Sequence, residues 1–272
     1  MRLSGPKMLG MTALIPPAWT ARFLFVVSAA GAALALRVSW DYPLAGVAIL
    51  CVIGATVAWR LRARWRVRRI FRSGDVEGVL TWWRDSLRRI PHPETMGPLM
   101  TATAFAAYGW LEKAREALRH AERGPAWDAA IEHRLFLDTL LLTFEGDGDA
   151  AIQRANALES LPLPPAQPGL VERVQVLRGA VGALARAFAH QRREGDAQLL
   201  MNAGDSSPLV HWAMRYAAAI IAVDEGQLIE ARGLLEDAPE WPAESCFRRF
   251  HAEIDAEVTR LETGETSATP EA

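Results

Sequence analysis

The sequence predicts an all-α protein: an N-terminal transmembrane helical hairpin followed by an α-solenoid of helix-turn-helix repeats. Three observations predict it. Two uncharged apolar runs near the N-terminus end at a cluster of arginines. Beyond the cluster, apolar residues recur at spacings of three and four, and alternating β-branched runs are missing. Glycine-anchored segments then return with a common internal spacing.

The first run, Phe23 to Leu36, lies between Arg22 and Arg37. Alone it is short for a bilayer. Both arginines can snorkel, which extends the segment to about 18–40 and places Trp19 and Trp40 at interfaces. The second run, 42–59, is rich in Val, Ile, Ala and Leu. A cleaved signal peptide fits poorly, because no small-x-small site precedes the second run. Seven arginines follow: Arg60, Arg62, Arg64, Arg66, Arg68, Arg69 and Arg72. Under the positive-inside rule they mark the cytoplasmic side. With a basic N-terminal arm at 1–17, the expectation is a hairpin in a bacterial inner membrane with both termini cytoplasmic.

The overall formal charge of −2 conceals a division. Residues 1–72 hold eleven basic residues and one acid, Asp41, whereas residues 73–272 hold nineteen basic and thirty-one acidic. The positive part, with 60–73 read as a juxtamembrane linker, is expected to touch anionic lipid through Arg60, Arg62, Arg64, Arg66, Arg68 and Arg69. Lipid contact accounts for the arginines without a nucleic acid. Two cysteines exclude a disulfide framework.

In the soluble part, 74–262, breaks fall at Pro91/Pro93, Gly124-Pro125, Gly146–Asp149, Pro162–Pro168, Gly204–Pro208 and Pro239–Pro242. Gly109, Leu111, Ala114, Leu118 and Ala121 share one spacing with Gly226, Leu228, Ala231, Leu235 and Ala238. Weaker copies start at Gly74 and Gly146. Glycine permits the tight turn, alanines allow close helix approach, and the bulky residues fill the seam. Gly74 to Gly109 is 35 residues and Gly109 to Gly146 is 37, but Gly146 to Gly226 is 80 and fits poorly. Residues 243–262, with Phe247, Phe250, Ile254, Val258 and Leu261 on one face, read as a capping helix. The tail, 263–272, reads as disordered.

These segments resemble the second helix of the tetratricopeptide repeat. Ala102 and Phe105 before Gly109, and Ala219 and Ala222 before Gly226, match the small and larger packing positions of its first helix. The layout of hairpin, arginine-rich linker and repeats is also similar to the HemY-type bacterial inner-membrane proteins. The resemblance implies a scaffold or adaptor that binds a protein partner on the first-helix faces. Those faces carry Met96, Leu99, Thr103 and Ala106, then His133, Phe136 and Leu140, then Tyr216, Ile220 and Val223. Either an apolar or amphipathic partner enters this groove, or the irregular 170–203 segment fills it. An alternative role is an accessory subunit whose spans pack on a larger membrane complex, which small residues in both runs permit.

No catalytic constellation emerges, so the expectation is a protein that is not an enzyme and needs no cofactor. His92, His120, His133, His190, His211 and His251 make no metal-ligand spacing. Glu145, Asp147 and Asp149 lack the glycine and closing glutamate of a calcium loop. Phosphate-loop, dinucleotide and nucleophile-elbow motifs are absent.

Overall fold

The computed structural model describes residues 37, 43–165 and 167–263. The expected N-terminal arm, the expected first span at 18–40 apart from Arg37, and the tail beyond Thr263 lie outside the described residues. Among the described residues all regular structure is helical. The helices are α1 (Pro43–Arg72), α2 (Val76–Leu87), α3 (Pro93–Ala107), α4 (Leu111–Ala121), α5 (Ile131–Glu145) and α6 (Gly148–Glu159). They continue with α7 (Pro168–Phe188), α8 (Asp196–Ser206), α9 (His211–Asp224), α10 (Leu228–Leu235) and α11 (Cys246–Thr263). The chain divides into two compact units, Met1–Trp65 and Arg66–Ala272.

In the first unit, every described side chain from Leu44 to Trp65 is exposed, including Leu44, Val47, Leu50, Ile53 and Trp59. Among the described residues no helix is long and apolar enough to cross a membrane. The apolar stretch of α1 stops at Arg60, and the helix then continues through the arginines to Arg72. The segment expected as a linker is therefore helical. No glycine or proline interrupts it before Gly74, and Arg69 and Arg72 complement the helix dipole at its end.

In the second unit the helices pack as successive hairpins: α3 with α4, α5 with α6, α7 with α8, and α9 with α10. The last turn of α1 leads into α2, with the Phe71 ring against Trp82 and Trp83. First helices also stack on first helices, α3 on α5, α5 on α7 and α7 on α9. Gly74, Gly109, Gly146 and Gly226 sit in the turns at φ of 77°, 74°, 90° and 72°, a region that only glycine enters cheaply. Asp75 and Asp147 follow two of them and cap the next helix, accepting from the Gly78 and Ala150 amides at 2.9 and 3.1 Å.

The 80-residue irregularity resolves into two hairpins. His190 stands where the other hairpins have glycine, at φ 53°. Its amide donates to Ala187 O and that of Gln191 to Arg186 O. Gly109 and Trp110, and Gly226 and Gln227, make the same pair of turn bonds. Measured through His190 the steps are 44 and 36 residues. The excess lies in the Pro162–Pro165 loop, a 21-residue α7, and residues 191–195 before α8.

The array closes on itself. Tyr108 Oη donates to Phe71 O at 2.6 Å, and Trp212 Nε1 donates to Arg72 O at 3.0 Å. Two carbonyls left open at the end of α1 are thereby satisfied by α3 and α9. The start of α11 docks on the Gly109 turn: the Cys246 amide donates to Gly109 O, and Ser245 Oγ to Tyr108 O. Inside lies an aromatic centre. Phe144 contacts Phe188, Phe247 and Phe250, while Tyr216 contacts Trp212, Trp241 and Phe247. Trp241 Nε1 donates to Tyr216 Oη at 2.7 Å, so the buried polar tips are paired.

Candidate functional site: two clefts

The residues expected to line one groove are divided three ways. Leu99, Ala106, Leu140 and Tyr216 are fully buried, and Thr103 nearly so. Closure of the array turns Leu99, Ala106, Leu140 and Tyr216 into core, while Thr103 borders the first cleft. Met96 is half-buried against that core. His133 and Phe136 line one cleft, and Ile220 and Val223 line another. The two clefts share no lining residue.

The first cleft, about 360 Å³, lies between α3, α5, α7 and the short 3₁₀ turn Pro208–Val210. Met100, Phe136, Val174, Leu177 and Leu209 give it apolar walls. Arg178 is the charged group within it. Its side chain is 6% exposed, and Nε and Nη2 reach Glu132 Oε1 at 3.0 and 2.9 Å. Nη1 donates to Leu161 O at 2.7 Å. The charge is thus neutralised and hydrogen-bonded, as burial requires. His133 stands exposed at the mouth, and the apolar wall beside it holds its pKa below the usual imidazole value.

The second cleft, about 400 Å³, lies between the ends of α7 and α9 and the face of α11. Phe188, Ile220, Val223, Phe250 and Ile254 form its floor. Asp224, Glu253 and Glu257 stand around it. His190 Nδ1 lies 3.0 Å from Asp224, and Arg260 pairs with Glu257. The lining contains no serine, threonine or cysteine, so the His190–Asp224 pair has no hydroxyl or thiol to activate.

The buried pair beneath this hairpin is structural. Arg186 and Asp196 make two bonds, at 2.9 and 2.6 Å, with side chains 8% and 5% exposed. The Arg193 amide adds a third bond to Asp196. Burial alone would raise the Asp196 pKa, but the Arg186 and Arg193 contacts outweigh it and hold the carboxyl below its usual value. Cys246 is half-buried, and desolvation pushes its thiol pKa up to about 12, so it is a poor nucleophile.

Among the described residues no three His, Cys, Asp or Glu side chains stand together as a metal site. Sequence reasoning missed His190, Phe188 and Asp224, whose place depends on recognising the fourth hairpin. It also missed Leu177 and Arg178 as cleft walls. The cap-helix spacing that picked out Phe250 and Ile254 did identify that face, though not its role. Of the five cap-helix positions expected on one face, Phe247, Phe250, Ile254 and Val258 are buried and Leu261 is exposed.

The class defined here is an all-helical, repeat-like array of hairpins with two apolar clefts. No protein-family model, curated protein or solved structure matches the chain.

Proposed function

We propose that this chain is a membrane-anchored, tetratricopeptide-like scaffold that binds an amphipathic helix of a protein partner. The observation that carries the reading is the cleft between α7, α9 and α11. Its floor of Phe188, Ile220, Val223 and Phe250 is apolar and open, with acids above it. An amphipathic helix would bury its apolar face there and turn its polar face toward Asp224 and Glu253. The anchor is the 18–59 segment, a hairpin in a bacterial inner membrane with both ends cytoplasmic. The exposed apolar side chains of α1, among them Leu44, Val47, Leu50, Ile53 and Trp59, support it, since a patch of that kind marks a membrane or protein contact. Exposed Arg60, Arg62, Arg66, Arg68 and Arg69 then meet anionic lipid.

One observation favours a second reading, an accessory subunit of a membrane complex. Gly54 on α1 has nothing within 4 Å of where a side chain would stand, which leaves room for a helix to pack closely.

A photocrosslinking residue in place of Val223, introduced into the full chain in native membranes, tests the scaffold reading. The expected result is a discrete adduct that Ile220→Asp removes. Adducts only from crosslinkers placed between Leu44 and Trp59 would favour the subunit reading. A reporter fused after Glu271 is expected to behave as cytoplasmic; a periplasmic signal rejects the topology.

A further inference from the structure

We propose that the cleft between α3, α5 and α7 is a binding site for a small uncharged amphiphile, an apolar body carrying a neutral hydrogen-bonding head such as an alcohol. It is a different site from the partner cleft and does not depend on that reading.

The volume sets the size class. About 360 Å³ falls within the range of roughly 300–1,000 Å³ typical of small-molecule pockets. The cleft is partly open to solvent, and the elements that hold its walls apart can be named. Leu170, near the start of the 21-residue α7, is exposed, and Val174 and Leu177 share the lining with Leu209 and Val210 of the Pro208–Val210 turn. These elements cannot collapse onto Phe136 without breaking the Arg178 contacts to Glu132 and Leu161 O.

The lining sets the chemistry. Met100, Phe136, Val174, Leu177 and Leu209 favour an apolar body. A ligand carboxylate would have to take Arg178 from Glu132, leaving that acid without its partner. A ligand ammonium would find only Glu132, already committed to Arg178. Both charged classes therefore meet a site whose charges cancel internally. Thr103 also borders the cleft, but its Oγ1 is committed to Leu99 O at 2.9 Å. Ser207 and His133 are the other polar side chains of the lining. A hydroxyl and a neutral imidazole can each donate or accept, which suits a neutral head.

The test uses the full-length chain and an octanol bearing a diazirine, with adducts mapped by mass spectrometry after irradiation. Saturable labelling of the Phe136 and Leu177 peptides is expected. Excess 1-decanol should remove it at a concentration at least tenfold below that needed for decanoate or decylammonium. Leu177→Trp and Val174→Trp, which fill the space, should each lower labelling there about tenfold while the melting temperature is retained. Labelling that does not saturate, or equal competition by decanoate and decanol, overturns the proposal, and neither result needs a variant. Displacement by an amphipathic helical peptide as effective as decanol overturns it in favour of a polypeptide ligand.

Discussion

Gly109 and His190 hold the same place in two hairpins, and they are held there by different means. Each has a left-handed backbone, with φ of 74° and 53°, and each is followed by an amide that reaches back to close the helix end. At Gly109 the turn is pressed against the start of α11. A side chain there would stand 2.8 Å from both Ser245 Oγ and Cys246 Sγ. At His190 the turn is open, and the imidazole lies against Asp224 instead. Five residues then separate it from α8, anchored by the Arg186–Asp196 pair and by Arg192 on Glu225. The hairpin needs a left-handed residue, and glycine is only the cheapest way to supply it.

Removing the anchor of the irregular hairpin should have the largest effect. Asp196→Ala leaves the buried Arg186 guanidinium without its partner, and a loss of about 3–5 kcal/mol is expected in urea unfolding. If Asp196→Ala and Gly226→Ala cost the same, the pair is not what holds this hairpin. Gly109→Ala comes next, at about 3 kcal/mol, because the backbone strain adds to a collision with the α11 start. Gly226→Ala separates those two contributions. Its φ is 72° but nothing lies within 4 Å, so only the strain of about 1 kcal/mol should appear.

The contact that closes the array adds a pH dependence. His211, next to Trp212, is buried; its Nδ1 lies 3.1 Å from Gly204 O and its Nε2 has no partner. Burial, reinforced by the charge of Arg72, pushes its pKa down to about 4. The unfolded chain binds a proton at the usual imidazole value of about 6.5, which the folded chain does not bind until about pH 4. Stability is therefore complete above that ordinary value and falls as the pH drops through this window. His211→Gln should flatten the slope of melting temperature against pH between those limits; an unchanged slope assigns it to other groups.

Much of the array was legible because its turns are glycines. Gly74, Gly109, Gly146 and Gly226 were identified from spacing, and all have positive φ. The fourth hairpin was hidden because His190 carries no such mark. The end of α1 was legible in principle, since Val67, Ile70 and Phe71 have helical spacing and pack on the core. Closure was not legible. The bonds from Tyr108 to Phe71 and from Trp212 to Arg72 span 37 and 140 residues, and no periodicity records them. That is why first-helix faces read as one groove supplied core residues such as Leu99 and Tyr216, while Thr103, His133, Phe136, Ile220 and Val223 stand at cleft walls.

The smallest expected effect returns to the comparison most directly. His190→Gly removes the cost of a side chain in the left-handed region, about 1 kcal/mol, and also removes the imidazole from Asp224. An exposed pair of this kind contributes at most about 1 kcal/mol. The glycine also loses more backbone freedom on folding. The net change should therefore lie within about 1 kcal/mol of zero. Asp224→Ala, which removes the pair and keeps His190, should lose no more than the pair itself. If His190→Gly instead destabilises as strongly as Asp196→Ala, the imidazole is holding the turn, and His190 is more than a tolerated replacement for glycine.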